Sequence, residues 1–149
     1  MVEENQCLLQ SLSRSQYLSP NLYRVVVFLQ VELRRIQLEP KNAEILYAIG
    51  VNRFFKAYRL QNQLSSQERD ALGKEAEKYL QKTIEADPGY PWSYAFMNML
   101  YRNVFAHLYP DRASRYNAEA DRWAEKFQDI QKREMDRKRL EKELKKSTS

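Results

Sequence analysis

The 149-residue chain has one cysteine, one histidine, three glycines and no long apolar run. A single Cys7 excludes an intramolecular disulfide framework. With only Arg14 as a basic neighbour in sequence, it reads as an incidental thiol. One histidine, His107, removes most metal sites and any histidine-dependent nucleophilic relay; a structural place near a helix end is the simpler reading. Three glycines are too few for phosphate-cradling loops or a series of tight turns. The most apolar stretch, Val25–Leu29, is flanked by Arg24 and Glu32 and falls far short of the roughly 20 residues a membrane span needs. Met1–Gln6 is acidic where a secretory signal is basic, so a cytoplasmic location is expected.

Two stretches of the chain read almost as copies: Ile36–Gly50 (IQLEPKNAEILYAIG) and Ile84–Asn98 (IEADPGYPWSYAFMN). Each joins the end of one helix, an acid followed by proline (Pro40, Pro88), and the start of the next. A recurring helix–proline–helix unit cannot bury its apolar face alone, so it implies stacked neighbours and an all-α solenoid.

Apolar periodicity predicts about six helices. A first segment over 5–16 rests on Leu8, Leu9 and Leu12, and residues 1–18 are expected to be weakly ordered. The second opens at Ser19-Pro20, a good start signal, and runs to Leu38. The third follows Pro40 and carries Leu46, Ile49 and Phe54. Ser65 and Glu68 have capping-box spacing at the start of a fourth, which continues to about Ala86. A fifth, 90–108, has two apolar stripes, one with Trp92, Phe96 and Met99 and one with Tyr94, Met97 and Tyr101; it must pack on both sides or offer one side to a ligand. Tyr109-Pro110 ends it. The sixth places Tyr116, Ala120, Trp123, Phe127 and Ile130 on one seam. From residue 131 the seam fails, and 131–149 reads as a charged helical extension with eight basic and four acidic residues over Lys132–Lys146. Residues 19–130 are thus expected to form the helical domain.

This pattern resembles the tetratricopeptide repeat, a 34-residue helix–turn–helix unit. The match is best over 36–103. Ala76, Leu80 and Thr83 fall at the small–large–small positions of the second helix of a repeat, with Pro88 closing it; Leu46, Ile49 and Gly50 fit first-helix positions, as do Tyr94, Met97, Asn98 and Tyr101. Two departures stand out. Pro40 and Pro88 lie 48 residues apart, roughly fourteen more than one repeat, and segment 20–37 lacks the small residues. In that family first helices line a concave groove. The resemblance then implies Glu44, Tyr47, Val51 and Phe55 from the third helix and Trp92, Ala95, Met99, Arg102 and Asn103 from the fifth as groove residues. Aromatic side chains with a few polar neighbours suit capture of a peptide or helix. The basic clamp with which some members hold acidic C-termini is absent, since Glu44, Tyr47 and Val51 occupy those positions.

The expected function is therefore that of a protein-binding module or adaptor rather than an enzyme, with no cofactor. Paired acids such as Glu75/Glu77 and Glu119/Asp121 diverge on a helix and offer no acid–base geometry. The alternative is a nucleic-acid- or ribosome-associated protein anchored by Lys132–Lys146. Against it, acids interleave with the bases and no aromatic lies beyond Phe127 to stack on bases. Self-association through a solenoid end is a further possibility.

Overall fold

The structure, a computed structural model, describes residues 31, 34 and 41–147. The chain clusters into two compact units, Met1–Lys41 and Asn42–Ser149, and the helices below belong to the second. The first two expected segments lie outside the described residues, apart from Val31 and Arg34, which are helical.

Four helices follow, with no strand among the described residues. α1 (Ala43–Arg59) begins at Asn42, whose side-chain oxygen accepts from the Glu44 and Ile45 amides at 3.0 and 3.2 Å. α2 (Ser66–Ala86) opens with the expected capping box: Ser65 Oγ accepts from the Glu68 amide while Glu68 accepts from the Ser65 amide. These bonds satisfy amide donors that a helix start leaves unpaired. α3 starts at Pro91, where a proline loses no helical bond. It runs through Leu100, widens into a π turn at Tyr101–Phe105 and finishes at Ala106–Leu108. After a 3-10 turn at Pro110–Arg112, α4 spans Ala113–Ser147.

Consecutive helices are antiparallel. Along α1 and α2, Gly50 meets Leu80, Arg53 pairs with Glu75 at 2.9 Å, and Arg69 Nε donates to the Ala57 carbonyl at 3.0 Å. Along α2 and α3, Tyr101 donates to Glu77 and Tyr109 to Asp70. Between α3 and α4, Asn98 donates to the Ala120 carbonyl at 2.7 Å. α1 and α3 therefore point the same way.

The core joins Phe54 and Ala57 of α1, Ala76 and Leu80 of α2, and Met97, Leu100, Val104 and Phe105 of α3, all buried. Each large apolar side chain taken from water contributes about 1.5–3 kcal/mol. Small residues set the spacing: Ala57 and Ala76 are fully buried. A Cβ on Gly73 would lie 2.8 Å from the Phe105 ring, so the glycine makes room for the aromatic that the π turn aims at α2. The predicted seam of the last helix is present. Tyr116 packs on Phe105, Ala120 is buried, Trp123 meets Tyr94, and Phe127 meets Trp92. Beyond Ile130, α4 continues as an exposed helix with ion pairs Glu134–Lys138, Arg137–Glu141 and Arg139–Glu143. Met135, Leu140 and Leu144 are exposed there.

Candidate functional site

A ladder of rings lines the side of α1 that faces α3. Tyr47 makes edge contacts with Tyr90 (centroids 5.0 Å) and with Phe96 (5.7 Å). Phe96 also meets Phe54 (5.5 Å) and Phe55 (5.8 Å), and Tyr58 stacks on Phe54 at 5.7 Å. Helical periodicity brings this about, since Tyr47, Val51, Phe55 and Tyr58 recur at steps of four and three and so share one stripe. Tyr47, Val51, Phe55, Phe96 and Met99 are all half-buried and packed against the core. Edge-to-face ring pairs are worth about 0.5–1.5 kcal/mol beyond burial, so the strip is firmly held.

Charges mark its two ends. Glu44, exposed in the first turn of α1, lies close enough to act on Tyr90. Arg59, exposed in the last turn, places its guanidinium 4.5 Å from the centre of the Phe55 ring. Burial first, then the neighbouring charges of Glu44 and Asp87, push the Tyr90 phenol up; burial and Tyr90 do the same to Tyr47. Both phenols stay protonated at neutral pH.

The nine residues that the repeat register assigns to a groove separate into two sets. Tyr47, Val51, Phe55 and Met99 lie on the strip, with Glu44 at its end. Trp92, 52% exposed, leans instead on Phe127 of α4 at 5.8 Å, and Tyr90 from the preceding turn is the ring beside Tyr47. Arg102 turns to α4 and pairs with Asp121 at 2.5 Å. Ala95 is half-buried in α3 and Asn103 in its π turn. Tyr58, Phe96, Tyr90 and Arg59 are among the strip residues that the register passes over. Their signals were Phe96 three residues before Met99 and Arg59 four residues after Phe55.

A concave place of about 550 Å³ lies between the α2–α3 turn and α4. Tyr90, Pro91, Ile130, Arg133 and Arg137 line it, but Asp87 and Glu134 offset the two arginines. His107 is exposed at the end of α3, and no group of three or more His, Cys, Asp or Glu among the described residues could hold a metal ion. No described helix is long and apolar enough to cross a membrane. Compared with known proteins, the chain matches no family model, no curated protein and no solved structure.

Proposed function

We propose that the chain is a protein-binding module built of tetratricopeptide-like helix hairpins, an adaptor that holds a partner peptide against the α1–α3 strip. The observation that carries this reading is the ring ladder Tyr47–Phe96–Phe55, with Val51 and Met99 beside it, on two helices that run the same way. Rigid aromatic rings give large contact area at little entropic cost, which is what a recognition surface needs. Small residues where α1 meets α2, Gly50 and Ala76 among them, support the repeat-like geometry. The adaptor role requires no bond-making chemistry and no cofactor.

The test is affinity capture from native lysate with three full-length baits: wild type, Phe55→Ala, and a tail variant with Lys132, Arg133, Lys142, Lys145 and Lys146 changed to glutamine. A protein retained at high salt by wild type and the tail variant, and lost with Phe55→Ala, supports the strip as the binding surface. Nucleic acid or ribosomal material lost with salt or with the tail charges would replace the proposal with the tail-anchored alternative, because phosphate contacts weaken steeply with salt.

A further inference from the structure

The charges at the ends of the strip define what it can take. Glu44 and Arg59 are fifteen positions apart on α1, which is about 22 Å at the helical rise. That length matches roughly seven residues of extended chain. Neither residue has an ion-pair partner among the described residues. Between them the surface is apolar and aromatic. Resting on the peptide-binding reading above, we propose that the strip recognises an extended segment of a partner protein, with a basic residue at the Glu44 end, apolar side chains across Tyr47, Phe55 and Phe96, and an acidic residue at the Arg59 end.

The choice of an extended segment follows from the phenols. The phenol oxygens of Tyr47 and Tyr90 make no hydrogen bond among the described residues, although the Tyr90 backbone bonds Ser93 and Asp87, and both phenols keep their protons. A phenol donor needs a free acceptor. Extended backbone presents unpaired carbonyls along its length, whereas the carbonyls of a helix are already bonded except in its last turn. The Glu44 end argues against a polyanion, since Glu44 and the nearby Asp87 repel one there. Glu44 and Arg59 also complement the α1 dipole. That role affects stability and leaves ligand choice untouched, so the test must read selectivity.

The experiment is selection of random dodecapeptides displayed on phage against four full-length proteins: wild type, Glu44→Lys, Arg59→Glu and Phe55→Ser. Circular dichroism establishes that each variant keeps its helicity. Wild type is expected to enrich peptides with one basic and one acidic residue about five to seven positions apart, flanking apolar residues. Glu44→Lys should shift selection to acids at both ends, and Arg59→Glu to bases at both ends. A synthetic wild-type winner should lose about five- to tenfold in affinity on Glu44→Lys and recover it when its basic residue is exchanged for glutamate. Apolar winners without charge preference, lost on Phe55→Ser, would overturn the charge assignment while leaving the strip as a binding surface. Failure to enrich any peptide that depends on Phe55 would overturn both.

Discussion

Gly50 and Leu80 are in contact where α1 crosses α2. A Cβ on Gly50 would lie 2.9 Å from Leu80 Cγ and 3.2 Å from the Leu80 backbone nitrogen. Leu80 is fully buried and cannot swing away. Alanine would ordinarily gain about 1 kcal/mol over glycine inside a helix. Here the overlap wins, and Gly50→Ala is expected to destabilise by about 1–3 kcal/mol, the usual range for overpacking. Urea unfolding of both proteins checks this; a more stable variant would mean that α1 and α2 do not approach as closely as described.

The capping box gives a second prediction. Ser65→Ala removes the acceptor for the Glu68 amide, and caps of this kind are worth about 1 kcal/mol. Ser65→Gly should cost only a few tenths, because the exposed amide can then turn to water. Paired thermal melts decide it: alanine should lower the midpoint more than glycine. The reverse order would leave the box without a stabilising role.

Five tyrosines set an alkaline limit. The phenols of Tyr47, Tyr90, Tyr94, Tyr101 and Tyr109 are all pushed above the ordinary value of 10.0. Burial leads for the first four, and the Asp70 hydrogen bond leads for Tyr109. A pKa raised on folding gives stability that is complete below the unfolded value and is lost as pH rises through the folded one. Melting temperature should therefore fall from about pH 10 upward. Tyrosinate absorbance at 295 nm should show a late-titrating group that moves to the ordinary range in denaturant. A single transition near 10 in the native protein would contradict the packing of these rings.

Acid acts in the opposite sense on Asp70. Burial raises its carboxyl, but hydrogen bonds from Lys74 and Tyr109, with the Lys74 charge, outweigh that and hold it below the ordinary 3.8. Its contribution is present above about pH 4 and is lost as pH falls through the lowered value. Tyr109→Phe removes one donor and should make unfolding between pH 4 and 2 begin at a higher pH. Acid titration by circular dichroism checks this, and an unchanged midpoint would show that the α2–α3 link does not couple to folding.

Much of this architecture was legible because its signals are local. The helix start after Pro40, the capping box at Ser65 and Glu68, and the seam Tyr116–Ile130 follow from spacing and capping alone, while the position of Gly50 on a first helix comes from the repeat resemblance. What sequence could not supply is where rings from different helices meet. The repeat register puts Trp92 with Tyr47, but which ring lies beside Tyr47 depends on the path of the Asp87–Tyr90 turn. Local bonds hold that turn, with Tyr94 donating to the Pro88 carbonyl and Ser93 to the Tyr90 carbonyl, but the ring that Tyr90 meets, Tyr47, belongs to another helix. The π turn is equally non-local. Its widened register serves Phe105 against Gly73, a residue on another helix.

Trp92 separates register from geometry. A groove drawn from the register loses affinity when Trp92 becomes alanine. The strip described here keeps it, because Trp92 leans on α4 and is half exposed. Trp92→Ala should cost about 1 kcal/mol of stability, the worth of a partly exposed ring pair, and leave peptide affinity within twofold. Phe55→Ala should behave the opposite way, keeping the fold while reducing affinity by tenfold or more, as truncation of a central aromatic anchor does. Titration of one selected peptide against both variants, with melts alongside, distinguishes them. Loss of affinity in Trp92→Ala at unchanged stability would move the binding surface from α1 and α3 to the α3–α4 edge.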